Sequence, residues 1–98
     1  MEPKLAGSCH SLMPRISFFR GISIYMHFSD HPSPHFHAIY GEHEAKVSIL
    51  SHELLEGSLP AAQLRLVRRW ARLHRDELMD NWEQARKQRP LDRIEPLP

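Results

Sequence analysis

The sequence predicts an α+β fold, in which a small antiparallel β-sheet of three to five strands is packed on one face by a long C-terminal helix or a helix pair. Two observations indicate this fold. Apolar and polar residues alternate in much of residues 22–48, which is the period of a strand, and apolar residues recur every three or four positions across residues 64–85, which is the period of a helix. No Gly or Pro interrupts residues 61–89, so this helical segment is long.

The composition fits one compact domain. The length of 98 residues excludes a two-domain enzyme. The chain has 13 Lys and Arg against 12 Asp and Glu, and this balance excludes an overall basic field that attracts nucleic acid. The one cysteine, Cys9, cannot form an internal disulfide or a cysteine zinc cluster, and this favours a reducing, cytoplasmic setting. No apolar run approaches the roughly 20 residues that cross a bilayer, so no membrane partner is predicted. Residues 1–12 show neither period and are interpreted as a flexible N-terminal extension to a single α+β domain at 13–98.

The first strands are expected between Arg15 and Phe28, where β-branched and aromatic residues are frequent and Gly21 allows a turn or bulge. The alternation in the second half of this run places Tyr25 and His27 together on the outer face. The apolar set on the core face is Ile22, Ile24, Met26 and Phe28. The two prolines within residues 30–34 then end the strand in a stiff loop.

A hairpin is predicted around Gly41-Glu42, because Gly suits the first central position of a two-residue type II′ turn. Placing Tyr40 opposite His43 fixes the register, and paired residues then share a face. The apolar face consists of Phe36, Ala38, Ala45 and Val47, and the opposite, polar face of His35, His37, Lys46 and Ser48. The segment 51–56 is ambiguous between an edge strand and a turn.

A helix is predicted to begin at Leu59-Pro60, with an apolar stripe that keeps its phase to residue 85. The charges favour two helices that meet near His74, since arginines precede the acidic residues and a single helix dipole prefers the reverse. The packing energy of the apolar stripe is expected to exceed the electrostatic energy of these exposed charges. A continuous helix or a shallow kink is therefore the preferred interpretation. In the tail, Leu91 and Ile94 are expected to pack back on the domain.

The predicted polar face is the first candidate site. Histidine exchanges protons near neutral pH and lysine binds phosphate, so His35 and His37 could serve as acid and base, with Lys46 on the phosphate, in a metal-independent ribonuclease. Tyr25 and His27 join this face if the second strand neighbours the hairpin. The same residue types also occur on solvent-facing strands that have no catalytic role.

A metal site is a further alternative, although no cofactor or metal ligand is assigned. Two imidazoles of a His-x-His strand point to one side, and Asp30 or His31 could supply a third ligand for zinc or nickel. His74 lies in the apolar stripe and is expected to be at least half-buried, bonded to a backbone carbonyl or to the Asp30-His31 loop. It should not meet His35 and His37 unless the register is shifted by one residue.

Arginines form a row on the predicted helix, on the face opposite the apolar stripe. An uninterrupted basic strip can follow phosphates or an acidic partner, whereas many such faces are only solvated. The candidate binding residues here are Arg65, Arg68, Arg69 and Arg72, followed along the chain by Arg75.

Motifs along most of the chain resemble a widespread bacterial family described as a domain of unknown function, number 4160. The resemblance runs from about Met13 to the C-terminus and rests on DHPSPHFHAIYGEHEAKV, LLEGSLP, LRLVRRWARLHRDELMDNWEQAR and LDRIEPLP. It implies no catalytic residues. Members are often encoded beside another small protein, and some are suspected toxin–antitoxin components. The sequence therefore predicts an interaction module of a toxin–antitoxin-like pair that binds a protein partner, a second copy of itself or RNA, with the ribonuclease and a small His-rich metal-binding protein as alternatives.

Overall fold

A computed structural model of the chain describes residues 14–28, 30 and 32–98. The predicted α+β fold is confirmed: five antiparallel strands in sequential order form one sheet, and two helices follow. The predicted extension at residues 1–12 and the candidate ligand His31 lie outside the described residues. The elements in chain order are β1 (Arg15–Phe19), β2 (Ile22–Tyr25), β3 (His35–Tyr40), β4 (His43–Ser48), β5 (Leu54–Gly57), α1 (Ala61–Leu73) and α2 (Arg75–Arg86).

The predicted register of the β3–β4 hairpin is confirmed, with Tyr40 opposite His43 and Phe36 opposite Val47. Gly41 has a φ of 59°, the sign that the first central residue of a type II′ turn requires. The ambiguous segment after β4 contains a strand, because β5 pairs antiparallel with β4. All of β5 is exposed, so it forms an open edge of the sheet.

The core lies between one sheet face and the helices. The apolar hairpin face predicted from the sequence is buried, with every member at most 1% exposed. Trp70 of α1 is fully buried and its ring lies 5.3 Å from Phe19 and 5.7 Å from Phe36 between centroids, so it joins the two halves of the sheet. Trp82 of α2 is 3% exposed.

The helical segment is divided at His74, so the uninterrupted helix is wrong, whereas the predicted helix pair that meets near this residue is confirmed. His74 has φ −116° and ψ 27°, outside helical values, although its N–H still donates to the Trp70 carbonyl. The break lies where the charge pattern changes sign: Arg72 is in the last turn of α1, and Asp76 and Glu77 are in the first turn of α2. Both helix dipoles are thereby matched by charges of the favourable sign.

The C-terminal tail packs back on the domain as predicted. The Ile94 side chain is 3% exposed, and its N–H donates to the Ile16 carbonyl across 2.8 Å. The buried Asn81 amide donates to the Asp92 carbonyl and accepts from the Asp92 N–H. The tail therefore bonds to β1 through Ile94 and to α2 through Asp92, whereas β5 keeps its exposed edge.

Neither helix of the described chain has the length or apolarity to cross a membrane. α1 has 13 residues and α2 has 12, whereas a span needs about 20 apolar ones.

Candidate functional site

Three histidines converge on one carboxylate where β2 ends and β3 begins. β2 and β3 are paired, with Tyr25 opposite His37, and His27 lies two residues after the end of β2. Asp30, between these strands, lies beside the β3 histidines. Tyr25 and His27 therefore lie beside the β3 histidines, which is the arrangement expected if the second strand neighbours the hairpin.

The Asp30 Oδ2 atom is the centre of this histidine cluster, which consists of His27, Asp30, His35 and His37. It lies 2.9 Å from His35 Nε2, 3.4 Å from His37 Nε2 and 3.7 Å from His27 Nδ1. The rings of His27 and His37 are stacked, with centroids 4.0 Å apart and planes 8° apart. One acceptor oxygen thus faces nitrogen atoms of three imidazoles.

The expectation of an open polar face is wrong for His35 and His37, which are only 3% and 7% exposed. Trp82 of α2 reaches the beginning of β3 and its ring lies 5.2 Å from the His35 ring. The ring of His27 stacks on the ring of His37 and covers one of its faces. Strand alternation assigns a residue to a face, but it does not show what covers that face.

The environment of the cluster favours neutral imidazole at His37. Burial lowers the pKa of His37, and the neighbouring His27 lowers it further, whereas the hydrogen bond to Asp30 acts in the opposite direction. A protonated pair of stacked rings would also repel. His37 is thus a group that offers a lone pair near neutral pH.

Both ring nitrogens of His35 face acceptor atoms. Nδ1 lies 2.7 Å from the Ser33 carbonyl oxygen, to which its N–H donates, and Nε2 lies 2.9 Å from Asp30 Oδ2. Both nitrogens of the enclosed His35 ring are therefore engaged by oxygen atoms of the loop that precedes β3.

His35, His37 and Lys46, the residues predicted as catalytic, do not form an open acid–base–phosphate arrangement. His35 is enclosed and both of its ring nitrogens are engaged. Lys46 Nζ lies 3.5 Å from Glu56 Oε1, and the groove beside His37 is also lined by Glu44. Two carboxylates in this groove oppose a phosphate, so the ribonuclease is not the function that the geometry favours.

His74 does not join the histidine cluster. It is half-buried, as expected, and its ring lies 5.7 Å from the Trp70 ring. The expected hydrogen bond to a backbone carbonyl or to the Asp30 loop is wrong, because Nδ1 bonds to Glu77 Oε1 one turn further along the chain. The i, i+3 spacing places this partner within reach.

The second candidate site is the arginine face, the outer surface of α1 formed by Arg65, Arg68, Arg69 and Arg72. These four side chains, with Ala62 and Leu66, line a shallow open groove. Arg68 donates from Nε to the His52 carbonyl oxygen at 2.9 Å. Among the described residues, no arginine of this face forms a salt bridge, and α1 contains no acidic residue.

His52 lies beside the arginine face and is a residue that the sequence reasoning did not single out. Burial lowers the pKa of His52, followed by the charges of Arg72, Arg75 and Arg68. The three arginine charges therefore all act on the His52 ring, so the electrostatic potential around this ring is positive. The helical positions of the arginines could have indicated this potential, but not that the loop before β5 brings a histidine to them.

The lowered pKa of His52 predicts an acid-sensitive contribution to folding. The unfolded state gains the His52 proton near pH 6.5 and the folded state only at lower pH, so this contribution is present above 6.5 and lost as the pH falls. We expect His52→Asn to reduce the drop in Tm between about pH 7.5 and about pH 5.5. Asn is suitable because it tolerates the φ of 65° at this position. An unchanged drop in thermal melts of the variant would contradict this role.

A comparison with family models gives a match to "Domain of unknown function (DUF4160)" over residues 21–83. The chain belongs to this family. The match includes the whole histidine cluster and the arginine face, so both candidate sites lie within the DUF4160 region. No curated protein and no solved structure matches the chain.

Proposed function

We propose that this DUF4160 protein is an interaction module that binds an acidic protein partner through the arginine face, as one half of a toxin–antitoxin-like pair. The observation that supports this is the row of arginines on α1, four cations without a salt bridge among the described residues. Arginine is enriched in protein interfaces because its guanidinium binds carboxylates in a bidentate manner. The lone Cys9 is consistent with a cytoplasmic setting for this pair.

A protein partner is favoured over RNA by the apolar residues beside the arginines. Leu66 lines the groove, and Leu73 at the end of α1 is 66% exposed. A mixed apolar and arginine surface is typical of protein interfaces, whereas RNA surfaces depend on basic residues with stacking aromatics. The net charge of +1 also supplies no long-range attraction for a polyanion.

A homodimer through this face is disfavoured by its charge. A two-fold interface brings the same patch of both copies together, and the arginines would then face each other. Like charges in contact cost several kcal/mol, and no acidic residue of α1 compensates them. The complementary acidic groups must come from a different chain.

The proposal predicts that reversing the charge of the arginine face abolishes binding to an acidic polypeptide. We expect the wild-type chain to bind a fluorescent polyglutamate peptide at low salt, and the Arg65→Glu/Arg69→Glu double variant to bind it at least about tenfold more weakly. Both side chains are exposed, so the fold should be unaffected. Fluorescence anisotropy over a salt series measures the effect.

The matched control is Arg89→Glu/Arg93→Glu, an equal charge reversal at exposed positions of the tail. We expect this control to lose much less affinity than the α1 variant. Equal losses would show a net-charge effect and contradict a defined surface. Tighter binding of labelled single-stranded RNA than of polyglutamate by the wild-type chain would overturn the choice of a protein partner.

A further inference from the structure

The histidine cluster contains a set of metal-ligand atoms that the proposed interaction surface does not use. His27, Asp30 and His37 each offer one donor atom, and all three atoms lie within 4.8 Å of one another. Imidazole nitrogen and carboxylate oxygen are ligands that zinc accepts. We propose that these three residues bind a divalent transition-metal ion, with zinc as the favoured ion.

The distances from the Asp30 donor atom to the two imidazole nitrogens are close to those of tetrahedral coordination. Zinc–ligand bonds of about 2.0–2.1 Å at tetrahedral angles place two ligands about 3.3 Å apart, whereas neighbouring ligands in an octahedron at similar bond lengths are about 3.0 Å apart. Asp30 Oδ2 lies 3.4 Å from His37 Nε2 and 3.7 Å from His27 Nδ1. Both distances are slightly longer than the tetrahedral spacing, and three protein ligands leave the fourth position open to a water molecule or another ligand.

The outer contacts of the ligands are also those of a metal site. His37 presents Nε2 to Asp30 while its other nitrogen, Nδ1, lies 3.5 Å from Glu44 Oε2. A carboxylate on the far side of a ligating imidazole fixes the tautomer that leaves the metal-facing nitrogen unprotonated. His35 Nε2 also contacts Asp30 Oδ2, at 2.9 Å. Glu44 and His35 are therefore positioning residues of this site.

Binding requires one ring movement, and His27 is the ring that is able to move. Two parallel imidazoles cannot both direct an in-plane lone pair at one ion, so the stack of His27 on His37 must open. The His27 side chain is 33% exposed, and its Nε2 makes no hydrogen bond within the described part of the chain. His37, by contrast, is buried and has a carboxylate oxygen near each ring nitrogen, so it is the less mobile of the two rings.

The first test is zinc binding by the full chain after chelator treatment. We expect isothermal titration calorimetry to show one zinc ion per chain, and substitution by cobalt(II) to show the intense visible absorption of tetrahedral coordination. His27→Ala and Asp30→Asn should weaken zinc binding by more than the 10–100-fold loss, in order of magnitude, that follows removal of an outer partner. Glu44→Gln should cause a loss within about that range.

Two matched controls separate this site from other zinc ligands of the chain. His43→Ala removes an exposed histidine of the adjacent turn, and Cys9→Ser/His10→Ala removes the donors near the N-terminus. We expect both to bind zinc as the wild type does. Circular dichroism establishes that each variant is folded, and the ring signals of His27 in NMR spectra should shift on zinc addition. No saturable binding by the wild type, or wild-type affinity in folded His27→Ala and Asp30→Asn variants, would overturn the proposal.

Discussion

Trp70→Ala is expected to lower the free energy of unfolding by about 3–5 kcal/mol. Trp70 is fully buried and contacts aromatic rings on β1 and β3, and its Nε1–H donates to the Glu95 carbonyl at 2.8 Å. The substitution thus leaves a cavity between helix and sheet and removes one of the hydrogen bonds that hold the tail. Domains have a total stability of about 5–15 kcal/mol, so a large fraction of it is lost.

Urea unfolding followed by circular dichroism measures this effect. The matched control is Leu73→Ala, in the same helix, whose side chain is 66% exposed and whose loss should change stability by no more than about 0.5 kcal/mol. A Trp70→Ala variant with nearly wild-type stability would show that the helix does not depend on this contact. Trp70→Phe should be intermediate, because the ring is kept while the Glu95 carbonyl loses its donor.

The hairpin register was predictable because two independent patterns constrain it. The alternation along β3 and the alternation along β4 agree only when Tyr40 faces His43, and Gly41 supplies the turn that this pairing needs. A shift of one residue would bury charged side chains and expose Phe36. Register is therefore a property that a local sequence pattern can determine.

The burial of His35 and His37 was not predictable from the same patterns. Alternation assigns both residues to the face opposite Phe36, and the structure agrees with this register. Their enclosure involves Trp82, which is distant in sequence, and His27, whose ring stacks on His37. Contacts between remote residues depend on the path of the chain after β2 and after α1, which no local period encodes.

The break at His74 lies where two sequence signals favour different structures. The apolar stripe continues in phase through residue 74, so packing alone allows one helix, while the order of charges favours two. Acidic residues at the beginning of α2 stabilise its N-terminus, and the Glu77 side chain also bonds to His74 at the break. Each of these electrostatic contributions is small. They are nevertheless sufficient, because a single non-helical residue does not disturb the apolar stripe and so costs little packing.

Gly57→Ala is expected to destabilise the protein by about 2–5 kcal/mol, the sum of two independent costs. Gly57 has a φ of 75°, which costs an L-residue about 1–2 kcal/mol. A Cβ built there would lie 2.0 Å from the Glu44 backbone oxygen, which also accepts from the Ser58 N–H, so β4 and β5 must separate. Such an overlap costs about 1–3 kcal/mol more, and amide hydrogen exchange of β4 should accelerate together with the loss of stability.

Gly41→Ala is the control that isolates the overlap. Gly41 has a φ of 59°, but nothing lies within 4 Å of its added Cβ, so only the cost of about 1–2 kcal/mol for the backbone remains. Equal effects of the two substitutions would show that β5 accommodates the methyl group without separating from β4. If β4 and β5 separate as expected, Glu44 is displaced from His37, and Gly57→Ala should then weaken zinc binding while Gly41→Ala leaves it unchanged.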